Sequence, residues 1–122
     1  MADGCGQVVL VEDDTGMREA LERVLVAAGF GVSAFASAEA ALQDRATLDA
    51  NCLVLDIHLP GLSGFELYER LVGVGRKPAV VFITARDDAL YQDRARRLGA
   101  LDYLVKPFSG RALSEIVAKA FV

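Results

Sequence analysis

The sequence predicts an α/β domain in which a five-stranded parallel sheet is covered by helices on both faces. Three observations lead there. Five short apolar runs, at 8–11, 32–35, 52–55, 80–83 and 103–105, alternate with five longer amphipathic stretches. The runs are apolar almost throughout, not at every second residue, as strands buried on both faces need to be. Helix-start and helix-stop residues mark the joints. Ser37, Ser63, Asp88 and Ser109 stand at N-cap positions, and Gly29, Gly75 and Gly99 just past helix ends. A strict βα alternation of this kind makes a doubly wound sheet.

In order along the chain, the run Val8-Val9-Leu10-Val11 leads into Glu12-Asp13-Asp14 and a helix over 15–28. Met17, Leu21, Val24, Leu25 and Ala28 line one face of that helix at helical spacing and are read as core. Asp14 is read as its cap, beside Thr15. The second run ends in Phe35-Ala36 and precedes a helix over 37–45. The third, Cys-Leu-Val-Leu, closes on Asp56 and is followed by Ile57-His58-Leu59-Pro60-Gly61 and a helix over 63–74. The fourth ends in Thr84-Ala85 before a helix over 88–98. The fifth ends in Lys106-Pro107 before a helix over 109–122 that leaves no output domain within the sequence. Residues 1–122 are read as a single domain.

Bulk composition bounds the function. A hydrophobic share of 53% supports a dense core, and a net charge of −4 argues against direct nucleic-acid binding. Arg94, Arg96 and Arg97 scatter over different helix faces and are read as solvated. No apolar run approaches the roughly 18 residues of a membrane helix, and the start Met1-Ala-Asp-Gly lacks a leader's basic and apolar segments, so a cytoplasmic, non-membrane protein is expected. Cys5 and Cys52 stand eight and four residues before Asp13 and Asp56. At ~3.3 Å per residue they would lie about 13 Å out of register on neighbouring parallel strands, so no disulfide is expected.

Ligand chemistry in open parallel sheets collects beyond the carboxyl ends of the strands. Four of the five ends here carry functional groups: the Glu12-Asp13 pair, Asp56, Thr84 and Lys106. Each alone has an ordinary explanation, as a cap, a β-former or a solvated charge. A carboxylate closing a buried apolar run needs partners, however. Two carboxylates about 5 Å apart repel by roughly 3 kcal/mol at an effective dielectric near 20. A divalent cation and the Lys106 ammonium would offset that repulsion. Carboxylates with a carbonyl and water suit a hard ion such as Mg²⁺, whereas zinc would want several His or Cys ligands and the chain has a single His. A nucleophile, a cation and charge-stabilising donors are the parts of phosphoryl transfer, and an ionised Asp can serve as the nucleophile.

Four stretches, Val-Val-Leu-Val-Glu-Asp-Asp (8–14), Leu-Val-Leu-Asp-Ile-His-Leu-Pro-Gly-Leu-Ser-Gly (53–64), Val-Phe-Ile-Thr-Ala (81–85) and Gly-Ala-Leu-Asp-Tyr-Leu-Val-Lys-Pro-Phe (99–108), together resemble the receiver domains of two-component response regulators. The resemblance implies a flavodoxin-like fold with strand order 2-1-3-4-5 and five helices. It implies a phosphoacceptor that works as a signalling switch, with only self-phosphorylation and self-dephosphorylation chemistry. By the same likeness Asp56 is the phosphorylated residue, and Asp13, an Asp56 oxygen and the His58 backbone carbonyl are the Mg²⁺ ligands. Glu12 is the second acid, acting through a metal-bound water. Lys106 holds a phosphoryl oxygen and precedes a cis Pro107. Thr84 and Tyr103 form the switch pair that relays the change to the face built by the fourth helix, fifth strand and fifth helix. The implied partners are a sensor histidine kinase or phosphotransfer protein, with a phosphorylation-dependent dimer or an output domain, such as that of a transcription regulator, as the readout. His58 and Arg86 are expected to flank the site, His58 either as a bland loop residue or as one acting on phosphoryl lifetime. The main alternative is an Asp-nucleophile phosphohydrolase, whose Asp-x-Asp pattern His58 breaks. A flavin carrier and a non-phosphorylated scaffold are the lesser ones.

Overall fold

In the computed structural model, which describes residues 6–121, five parallel strands form one sheet in the order β2-β1-β3-β4-β5. The strands are β1 (Gln7–Val11), β2 (Gly31–Phe35), β3 (Cys52–Asp56), β4 (Ala79–Thr84) and β5 (Asp102–Val105). Their register sets Leu10 beside Val54 and Asp56 beside Ile83. The carboxyl ends of β1, β3, β4 and β5 therefore lie along one rim. The helices are α1 (Thr15–Ala27), α2 (Ala38–Leu42), α3 (Arg45–Leu48), α4 (Gly64–Gly73), α5 (Ala89–Arg97) and α6 (Gly110–Ala118), with a closing 3₁₀ turn at Lys119–Phe121.

Side chains alternate across a strand, so the sheet feeds two separate cores. On one face Val9, Val11, Leu53, Leu55, Val80 and Phe82 pack with Ala38, Ala41, Phe65, Leu71 and Ala95 of α2, α4 and α5. On the other, Val8, Leu10, Cys52, Val54, Val81 and Ile83 pack with Leu21, Leu25, Leu113 and Val117 of α1 and α6. These residues are nearly all inaccessible to solvent. At about 1.5–3 kcal/mol for each fully buried aliphatic or aromatic side chain, the two cores supply the main favourable term in folding. Glu12, Asp56 and Lys106 share the parity of the second face, whereas Thr84 and Tyr103 share that of the first.

The expected caps are present. The side chains of Asp14, Ser37, Ser63, Asp88 and Ser109 each accept a backbone N–H in the first turn of the following helix, and Ser63 forms a full capping box with Glu66. Gly29, Gly75 and Gly99 have positive φ after α1, α4 and α5. Two expectations are corrected. The single helix over 37–45 is instead two short ones, which makes six α-helices among the described residues. Asp44 is extended and its carboxylate accepts the Ala46 N–H, starting a new helix, while the Thr47 hydroxyl donates to Ala41 O at 2.6 Å and folds the second piece back on the first. The last helix stops at Ala118 and tightens to 3₁₀, and Val122 lies outside the described residues. Of the stripe on α1, Ala28 is exposed. Cys52 is a free, buried thiol, and Cys5 lies outside the described residues.

Candidate functional site

At the rim, β1 and β3 deliver their acids to one point. Glu12, Asp13 and Asp56 each present a carboxylate oxygen within 4.8 Å of the others. Glu12 and Asp56 are only 1% and 4% exposed, while Asp13 faces solvent. Lys106 reaches in from the end of β5 and donates to Glu12 Oε1 at 2.6 Å and to Asp56 Oδ2 at 3.0 Å. The other Asp56 oxygen accepts the His58 N–H at 3.0 Å, and Glu12 Oε2 accepts the Asp14 N–H at 3.1 Å. One ammonium thus faces three clustered carboxylates, so the site carries an excess of negative charge that a hard cation would complement.

Burial, the largest influence, pushes the Glu12 carboxyl above the ordinary glutamate value. The Lys106 and Asp14 hydrogen bonds oppose it and the Asp56 charge reinforces it. For Lys106, burial works to lower the ammonium, but the bonds and charges of Glu12 and Asp56 overcome it and hold the group above the usual lysine value.

Thr84 closes β4 on the same rim and is fully buried. Its hydroxyl donates to Arg86 O and accepts the Arg86 N–H, both at 3.0 Å, and so shapes the turn leading to α5. The Tyr103 hydroxyl accepts the N–H of Asp88, the α5 cap residue, at 3.3 Å. Both Thr84 and Tyr103 therefore hold the β4–α5 connection. Burial raises the Tyr103 phenol above its ordinary value, with the Asp88 N–H opposing.

All the acids, the lysine and the hydroxyl expected from the sequence are thus carried to one rim, and the Lys106–Pro107 bond is cis. Arg86 contributes its backbone to the Thr84 turn, and its side chain is exposed. His58 has a definite neighbour: its imidazole meets the Tyr91 ring of α5 edge-on, with centroids 5.1 Å apart. Tyr91 in turn lies 6.2 Å from Phe65, whose ring Arg94 covers at 4.6 Å while bonding Glu69 at 3.0 Å. Arg96 and Arg97 both pair with Asp93 on the exposed surface of α5. Arg18 was missed in the sequence; its guanidinium donates to Glu12 O at 2.9 Å and braces the acidic turn. A basic residue one turn into the helix after the acids is the only trace such a brace leaves in a sequence.

Comparison with known proteins agrees with this geometry. The family model for the response regulator receiver domain matches residues 8–118. The transcriptional regulatory protein FixJ of Bradyrhizobium diazoefficiens is 35% identical over 115 residues, covering 94% of this chain and 56% of FixJ. Nodulation protein W of the same organism is 39% identical over 113 residues, covering 93% and 50%. The chain thus spans about half the length of the curated relatives it matches. Among solved structures, the response regulator StyR superposes with a TM-score of 0.84 at 38% identity, covering 96% of this chain and 60% of StyR. No helix among the described residues is long and apolar enough to cross a membrane. The rim of acids, lysine and hydroxyl, the 2-1-3-4-5 sheet and the match over residues 8–118 place the chain in the response regulator receiver domain family.

Proposed function

We propose that this receiver domain is a phosphoacceptor switch in which Asp56 takes a phosphoryl group from a sensor histidine kinase or a phosphotransfer protein in the cytoplasm. The observation that carries the reading is a buried Asp56 carboxylate held between the Lys106 ammonium and two further acids. An all-oxygen donor set of this charge fits Mg²⁺, which Glu12, Asp13, an Asp56 oxygen and the His58 carbonyl would hold. When bound, the ion supplies neutralising charge for the phosphoryl oxygens.

The chain's own residues do the rest. An Asp56 oxygen forms the new bond to phosphorus as the P–N bond of the donor's phosphohistidine breaks, and the donor imidazole keeps the electron pair. Lys106 exchanges its Asp56 oxygen for a phosphoryl oxygen. The Thr84 hydroxyl leaves Arg86 for the phosphoryl group, and the β4–α5 turn it was holding is released. Tyr103, which holds the start of α5, registers that release. The readout is a changed α5–β5–α6 face, which favours a second copy of the domain or an output domain. Residues 1–122 act as one unit in this scheme, and its chemistry is limited to gaining and losing the phosphoryl group. The phosphohydrolase alternative finds no support in the family match or at position 58.

The test is mass spectrometry after exposure to acetyl phosphate. One added phosphoryl group is expected with Mg²⁺ and none after chelation. Labelling of Asp56→Asn equal to that of the parent would overturn the assignment.

A further inference from the structure

The His58 carbonyl lies in a connection, residues 57–63, that must hold its shape if it is to serve a metal. Most of that shape comes from its own residues, the flanking β3 and α4, and the neighbouring strand β4. Ile57 N–H donates to Ile83 O at 2.9 Å, His58 N–H to Asp56 Oδ1, Gly64 N–H to Ile57 O at 3.3 Å, and Ser63 N–H to Glu66 Oε1 at 2.9 Å. The buried side chains of Ile57 and Leu59 anchor its first half. The second half, Pro60-Gly61-Leu62, is anchored less: Pro60 and Gly61 are exposed, Gly61 sits at φ +78, and the half-buried Leu62 side chain alone reaches the core.

That half is held from elsewhere. The carboxylate of Glu39, on α2, accepts the Leu62 N–H at 2.9 Å across 23 residues of sequence. Among the described residues it is the one side chain from another crossover that bonds this connection's backbone. The fit is close: a Cβ on Gly61 would run into Glu39 Oε2, so Gly61 leaves room for the carboxylate as well as making the turn. α2 is seated on the sheet through Ala38 and Ala41, both fully buried, which aims Glu39 at the connection. The Leu62 N–H is also the largest influence holding the Glu39 carboxyl below its ordinary value.

We infer that Glu39 is a positioning residue for the metal site: it fixes the connection that carries the His58 carbonyl, and so sets Mg²⁺ affinity without touching the ion. The inference rests on the phosphoacceptor reading above. Removing the clamp leaves the acids, Lys106 and both cores in place, so metal affinity falls while the fold persists. An exposed hydrogen bond of this kind is worth about two- to tenfold in affinity.

The experiment has two readouts. In metal-free protein, amide hydrogen exchange at Leu62 is expected to quicken in Glu39→Ala. On titration with Mg²⁺, followed by amide NMR shifts, Glu39→Ala is expected to bind about two- to tenfold more weakly, and Glu39→Gln, which keeps an acceptor oxygen, to recover most of the loss. Unchanged Leu62 exchange, unchanged Mg²⁺ affinity in Glu39→Ala, or equal weakening in Glu39→Gln (the mark of a mere charge effect) would each overturn the inference. Failure of the parent itself to bind Mg²⁺ would instead overturn the phosphoacceptor reading.

Discussion

Replacing Lys106 by Met removes the one positive charge among the described residues that pairs with Glu12 and Asp56, and leaves two buried carboxylates to repel one another. The cost follows from the structure. Oxygens up to 4.8 Å apart repel by about 3.5 kcal/mol at an effective dielectric near 20, and breaking a buried pair by removing one partner typically costs about 3–5 kcal/mol. Protonation limits that cost. Glu12, already raised by burial, can take a proton instead. Starting from an ordinary value of 4.5, this requires about 3.4 kcal/mol at pH 7 but only about 1.4 kcal/mol at pH 5.5. The sign is that of a raised acid: the folded variant holds a proton the unfolded chain releases, so stability falls as pH climbs above the glutamate range and returns on acidification. Metal-free Lys106→Met should therefore lose about 3 kcal/mol at pH 7, or roughly 10 °C in Tm, and less than half of that at pH 5.5. Urea unfolding of parent and variant at both pH values is the assay. In a Glu12→Gln background the same replacement should cost under about 1.5 kcal/mol at pH 7, since only one buried carboxylate remains. A loss identical at the two pH values, or undiminished by Glu12→Gln, would refute the assigned charge balance.

Three further outcomes are expected. Thr84→Ala should still accept a phosphoryl group but lose most of the coupled change, about ten- to a hundredfold in the balance of states; beryllofluoride-induced NMR shifts at Tyr103 report it, and parent-sized shifts would sink the coupling. Gly64→Ala should destabilise by about 2–3 kcal/mol, because the new Cβ runs into the carbonyl oxygen of Asp56, and chemical denaturation measures it. Cys52, with its thiol pushed up to about 12 by burial, should resist alkylation until the chain unfolds, which peptide mapping after iodoacetamide treatment in native and denaturing buffer will show.

The rim residues were legible because parallel strands buried on both faces leave a plain apolar signature, and whatever polar group follows each run lands at the rim. The Glu12, Asp56, Thr84 and Lys106 positions needed nothing more. The break at Asp44 was hidden, since an acid inside an amphipathic stretch looks the same whether it faces water or caps a new helix. Glu39 and Leu62, or His58 and Tyr91, meet only because the crossovers around β3 pack on one face of the sheet. Their contacts are tertiary and leave no local pattern.

The alternation of side chains across the strands has a consequence for how such a domain can change over generations. The groups proposed to receive the phosphoryl group share the parity of the layer of α1 and α6, and the pair proposed to report it shares that of α2, α4 and α5. Acceptance and report thus begin on opposite sides of one wall, and they meet again only where α6 joins the readout face. Substitutions on the exposed surface of α5, as at Leu90, can retune what a partner sees while the acids and Lys106 keep their setting. Substitutions at Leu21 or Leu25 of α1 can adjust stability beneath the acceptor while the reporting layer keeps its shape. A lineage can in this way acquire a new listener without relearning how to be phosphorylated.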